Sequence, residues 1–184
     1  MADTLHAKRK SVLEDFHGGS PFVSLKPAAS ASRLSLRARE SAVPALSEAL
    51  GLALPSSPKS FVTSGLRSAL WLGPDEWLVI DQGESDLVAT LAGVSGLFSA
   101  TEISHRNTAV IVSGPGAEAA LNAGCPQDLS LEKFPVGACS RTVFGKAEVV
   151  LLRTADDTFR VECWRSFAEY VGGLLQEAAQ DIFT

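Results

Sequence analysis

Three cysteines and three histidines (Cys125, Cys139, Cys163; His6, His17, His105) are the side chains here best suited to metal or thiol chemistry. A structural zinc site needs tight pairs such as C-x2-4-C, because a short loop must bring two ligands within bonding distance. Cys125 and Cys139 stand fourteen positions apart, and Cys163 falls in an alternating strand pattern. Buried, inert thiols are the reading this spacing supports, and no metal site is expected. A nucleophilic Cys–His pair, as in a self-sufficient thiol enzyme, could be assembled only through the fold, with His105 as the central histidine.

V-S-G-P-G-A at 112–117 follows a strand pattern and opens a helix, where backbone N–H groups can hold an anion. It lacks the G-x-G-x-x-G spacing and a downstream ribose carboxylate, so a plain helix start is favoured. Asp75 and Glu76, like Asp156 and Asp157, sit where turns are expected, and turn preference explains them. Trp71, Trp77 and Trp164 lie on strand patterns beside apolar neighbours, as core residues do. Trp164-Arg165 also reads as an exposed anchor, because Trp and Arg dominate interface hot spots. From chemistry alone, no catalytic constellation emerges.

The elements that must position these residues follow from periodicity. Residues 1–30 read as an N-terminal arm: Gly18-Gly19-Ser20-Pro21 and Lys26-Pro27-Ala28-Ala29-Ser30 give turns without sustained periodicity. Leu5, Val12, Leu13 and Phe16 share a sparse helical stripe over 5–16, and Phe16 and Phe22 are candidate partner contacts. The domain proper, 31–184, reads as two units at about 33–104 and 107–183, each strand–helix–strand–strand–helix, with a strand at 97–104 closing the first. Strands are expected at 33–39, 67–72, 76–81, 108–113, 139–144, 147–153 and 158–164. Helices are expected over about 43–50, 84–93 and 115–124, with Gly124 as a C-terminal glycine. A last helix carries Phe167, Tyr170, Val171, Leu174, Leu175, Ala178 and Ile182 on one face, and Ser166 with Glu169 fits a capping box. The fold class is therefore α+β, with antiparallel sheets and helices packed on one face.

Composition excludes several classes. Sixteen Lys+Arg against twenty-one Asp+Glu give a net charge of −5, a poor footprint for nucleic acid. No window holds ~18 uninterrupted apolar residues, so no membrane helix is expected. The basic cluster Lys8-Arg9-Lys10 runs into Glu14 and Asp15 rather than an apolar core, which does not fit a signal peptide. An odd number of scattered cysteines fits reduced thiols, and a cytoplasmic location is expected.

T-E-I-S-H-R at 101–106, V-S-G-P-G-A-E-A-A-L at 112–121 and C-P-Q-D-L at 125–129 resemble the folate-binding region of the glycine-cleavage T-protein (aminomethyltransferase) family. That family's D-V-S-H is loosened here to Glu102-Ile103-Ser104-His105. More closely, F-P-V-G-A-C-S-R-T-V-F-G-K-A-E-V-V-L-L-R-T at 134–154 and D-D-T-F-R-V-E-C-W-R-S-F-A-E-Y-V at 156–171 resemble the gamma subunit family of heterotetrameric sarcosine oxidase, as does L-W-L-G-P-D-E-W-L at 70–78. The resemblance implies a T-protein folate-binding-domain-like fold and an accessory subunit without catalytic residues. The implied complex demethylates sarcosine oxidatively to glycine, with hydrogen peroxide and either formaldehyde or methylene-tetrahydrofolate. It implies FAD, FMN and NAD on the alpha and beta subunits, zinc on delta, no cofactor on this chain, and alpha as the main contact. Asp128 matches the T-protein aspartate after the G-P-x-A helix and is the folate-pocket candidate; it can equally cap the turn leading to Leu129 and Leu131. The alternative is a stand-alone folate-binding or aminomethyl-transfer protein that uses Asp128.

Overall fold

A strand turns successive side chains to opposite faces, so a strand that is apolar at every position must be covered on both sides. The computed structural model describes residues 12–182. Their first part runs β1 (Gly18–Gly19), β2 (Ser24–Pro27), β3 (Ser32–Ala38), α1 (Val43–Leu50), β4 (Phe61–Ser64), β5 (Arg67–Gly73), β6 (Glu76–Asp81), α2 (Leu87–Leu91) and β7 (Phe98–Glu102). The rest runs β8 (Asn107–Ser113), α3 (Ala117–Asn122), β9 (Cys139–Phe144), β10 (Ala147–Ala155), β11 (Thr158–Trp164) and α4 (Ala168–Gln180). One sheet has the order β4-β5-β6-β3-β7 and the other β1-β2-β8-β11-β10-β9. All these pairings are antiparallel.

Strand β10 shows why the sheets stack. Val149 and Leu151 face α3 and α4, where Val171, Leu175 and Leu121 bury them. Val150 and Leu152 face the other way and meet Leu70, Leu78 and Ile80 of the first sheet. In that sheet Trp77 and Val79 turn outward to Leu46, Leu50, Leu87 and Leu91 of α1 and α2. The layers are therefore helices, sheet, sheet, helices, with helices on one face of each sheet.

The two sheets share one plan. Read in chain order, β3, β4, β5, β6 and β7 take the places that β8, β9, β10, β11 and β2 take in the other. The fifth strand of the second sheet thus comes from the N-terminal segment. Here the expected arm over 1–30 is corrected across its described part: β2 pairs with β8, and Leu13, Val23 and Leu25 lie in the core. The division at residue 31 separates a strand from its own sheet. Its physical cause is the vacant edge of β8, whose N–H and C=O groups β2 satisfies. Of the helical stripe expected over 5–16, Leu5 lies outside the described residues, whereas Val12, Leu13 and Phe16 reach the core from a turn rather than from a helix.

Three smaller expectations also change. Phe61–Ser64 forms an edge strand that the turn-rich flanks Pro55–Pro58 and Gly65 concealed. The chain enters α4 through a 3-10 turn over Arg165–Phe167, so Ser166 already lies inside a turn. Phe167 becomes the N-cap without a side-chain cap, and no capping box forms. Gly124 serves space rather than a left-handed cap: a Cβ there would lie 2.6 Å from the Phe144 ring.

Candidate functional site

β11 ends at Trp164, and the chain then turns over the end of the sheet into α4. Register pairs Trp164 with Asn107, so the start of β8 lies alongside. The Arg165 N–H donates to the Arg106 carbonyl at 2.6 Å, fixing this corner. Above it the Arg106 guanidinium stands 5.1 Å from the centroid of the Trp164 ring, and the Phe167 ring lies 6.2 Å away at 46°. Trp164 remains 40% exposed, Phe167 41% and Tyr170 43%. Arg165 is exposed beside them. A cation–π contact at such a site stabilises by only ~0.5–1 kcal/mol, so folding alone gives little reason to display these rings. Aromatic and arginine side chains grouped in this way match the composition of interface hot spots.

Of the expected contact residues, the fold brings Trp164 and Arg165 together on this surface and takes Phe16 and Phe22 away from it. Both phenylalanines are half-buried and pack on the core of their own domain. Phe16 lies so close over α4 that a Cβ at Gly172 would meet its ring at 3.2 Å. Arg106 and Phe167 complete the patch; Phe167 and Tyr170, expected on the apolar face of the last helix, are exposed instead, and the Tyr170 hydroxyl accepts the Lys146 N–H. The signal was present: Phe167 follows Trp164 by three residues, and Arg106 directly precedes the strand that pairs with β11.

Asp128 is exposed in the loop after α3, and its Oδ1 accepts the Ser130 N–H at 2.9 Å. Hydrogen bonding from Ser130, through its hydroxyl and then its N–H, holds this carboxyl below its ordinary value. The side chain therefore has the geometry of a turn residue. Next to it, Gln127 donates to the Ser140 hydroxyl at 2.8 Å. In Glu102-Ile103-Ser104-His105, the Glu102 carboxylate accepts the Ser104 N–H, and the Ser104 hydroxyl accepts the Arg33 N–H at 2.8 Å. That loop fastens β7 to β3, while His105 is exposed.

The three thiols are free and buried. The Cys139 thiol donates to the carbonyls of Ser60 and Trp71. Burial pushes Cys139 and Cys163 up to about 12, far from the range of a reactive thiolate. Among the described residues, no three His, Cys, Asp or Glu side chains gather as metal ligands.

Charged groups lie between the sheets, where the sequence pattern suggested only apolar packing. Glu162 of β11 accepts Arg33 Nε at 2.7 Å and Arg33 Nη2 at 3.2 Å, a bidentate pair joining the two sheets. Arg160 Nε donates to the same carboxylate at 2.8 Å. At the rim Glu76 of β6 holds Arg37 and Arg141, the latter on β9. The clue was F-R-V-E-C: residues 160 and 162 share one face of a strand that is otherwise apolar.

A family model described as "Sarcosine oxidase, gamma subunit family" matches residues 37–181. The sarcosine oxidase subunit gamma of Corynebacterium sp. (strain U-96) is 30% identical over 169 residues, covering 89% of this chain and 82% of that protein. Among solved structures, the heterotetrameric sarcosine oxidase of Corynebacterium sp. U-96, in complex with pyrrole 2-carboxylate, contains a chain that superposes with a TM-score of 0.87. Identity there is 26%, over 94% of this chain and 95% of that one. The glycine cleavage system aminomethyltransferase T of Bartonella henselae superposes at 0.64 with 15% identity, over 92% of this chain and 52% of that one; this is a likeness of fold.

Proposed function

The chain belongs to the sarcosine oxidase gamma subunit family, and from that premise we propose that it is the accessory, non-catalytic gamma subunit of a heterotetrameric, flavin-dependent sarcosine oxidase. In this reading the assembled enzyme converts sarcosine to glycine in the cytoplasm, with hydrogen peroxide and either formaldehyde or methylene-tetrahydrofolate. FAD, FMN, NAD and zinc belong to the other subunits, since redox chemistry of this kind is the cofactor's. The alpha subunit is the main contact, with beta and delta in the same assembly.

The observation that carries the reading is the Trp164–Phe167–Arg106 cluster, exposed where β11 turns into α4. Its rings and arginines supply the apolar anchors and donors that a docking surface needs. Asp128, occupied by its own turn, is read as structural.

Reconstitution with the large subunit tests this. Trp164→Ser should weaken association by about 1–3 kcal/mol while the isolated chain melts as before. Unchanged association would remove the cluster from the interface. Sarcosine-dependent peroxide from the chain alone would remove the non-catalytic assignment.

A further inference from the structure

The two sheets diverge where β2, β8, β10 and β11 face β4, β5 and β6, leaving a cavity of about 580 Å³. That volume lies in the range of small-molecule sites, roughly 300–1,000 Å³. Phe61, Ile80, Ile111 and Leu152 supply apolar walls, Lys26 stands at the exposed rim, and Arg160 lines the cavity although only 6% exposed. Asp128 is not among its lining residues.

The charge count around Arg160 is unbalanced. Arg33, Arg160 and Glu162 are 4%, 6% and 1% exposed, so two buried guanidiniums share one buried carboxylate. Arg33 takes the bidentate position and also donates to the Ala31 carbonyl. Arg160 keeps a single good hydrogen bond, through Nε. Its Nη2 lies 2.7 Å from Glu162 Oε1, out of hydrogen-bonding geometry and closed to the cavity, so both guanidiniums lean on this one carboxylate. A buried, incompletely paired cation is costly unless an anion completes it.

We propose that this cavity binds a small organic monocarboxylate, with its anionic group on Arg160 and its apolar body between the sheets. One negative charge on the ligand cancels the single surplus positive charge of the buried trio. The apolar walls favour a hydrocarbon or aromatic body over an inorganic anion.

Titration of benzoate into the full chain, followed by NMR shifts and by thermal melting, tests the site. Benzoate should bind saturably and raise the melting temperature, whereas the uncharged benzamide should bind at least about tenfold more weakly. Arg160→Gln leaves Glu162 paired with Arg33 and should lower benzoate affinity by about tenfold or more. Thr63→Trp fills the exposed mouth without touching the ion pairs and should abolish binding in a protein that still folds. The chain within its assembled complex should bind benzoate as well. Equal binding of benzamide, wild-type affinity in either variant, or no saturable binding of benzoate overturns the proposal. Binding by the free chain that vanishes in the complex also overturns it, because the cavity then receives a partner's group.

Discussion

The side-chain amide of Gln176, on α4, grips the backbone of Gly19 twice. Its Oε1 accepts the Gly19 N–H at 2.8 Å, and its Nε2 donates to the Gly19 carbonyl at 3.3 Å. The two residues lie 157 positions apart, so the last helix holds the N-terminal segment in place. Both glycines are needed for the approach. A Cβ at Gly18 would lie 1.9 Å from Gln176 Oε1, and Gly19 adopts φ 127°, where other residues are strained.

Because that segment also carries Leu13 and Phe16 into the core, deleting residues 1–20 should destabilise the chain by at least ~2 kcal/mol, the scale of one buried leucine. Gln176→Ala should cost about 1–2 kcal/mol through the two lost hydrogen bonds. Thermal melting reads both. An unchanged melting temperature after truncation would mean that β2 holds the β8 edge without its lead-in.

Glu162→Gln leaves Arg33 and Arg160 buried with no carboxylate between them. Breaking a buried pair in this way costs ~3–5 kcal/mol, and denaturant unfolding should show a loss of that size. Arg160→Gln removes the surplus charge instead and should cost well under half as much. Equal losses in the two variants would contradict the charge count.

Asp128→Asn should leave turnover of the assembled complex within about threefold, since a general base or electrostatic stabiliser contributes ~10²–10⁴-fold. Steady-state peroxide assays are sufficient to decide. A larger loss with assembly intact would make Asp128 a reacting group rather than a turn residue.

The pH dependence has two arms of opposite sign. Burial raises Cys139 and Cys163 from 9.0 to about 12, so the folded state holds these protons more tightly than the unfolded chain. Their contribution is fully present below about pH 9 and is lost as pH rises toward 12. Burial pushes the Glu76 carboxyl up, but hydrogen bonds from Arg141 and Arg37 outweigh it and hold the group below 4.5. That contribution is present above 4.5 and fades as pH falls below it. Melting curves across both windows check the assignment, with Glu76→Gln shrinking the acid arm to the share that Asp81 and Asp128, also held low, supply. Alkylation of the native thiols at about pH 8 should also be far slower than in denaturant.

The strands of the second half were legible because their apolar and alternating runs end at Gly145-Lys146 and Ala155-Asp156-Asp157, where turn chemistry is strong. β2 was not legible: Ser24–Pro27 ends in a proline, and only the open edge of β8 gives it a place. The surface cluster was half legible. Trp164 and Arg165 adjoin in sequence, whereas Arg106 reaches the tryptophan only through β8–β11 pairing. The Arg33–Glu162 pair was hidden for the same reason, since it spans two sheets.

Affinity purification of the tagged chain from its native source, with the visible spectrum and peroxide formation of the eluate, tests the subunit assignment most directly. The account predicts larger subunits in the eluate, a flavin band and peroxide that depends on added sarcosine. A chain that elutes alone, or one that binds stoichiometric flavin itself, contradicts it.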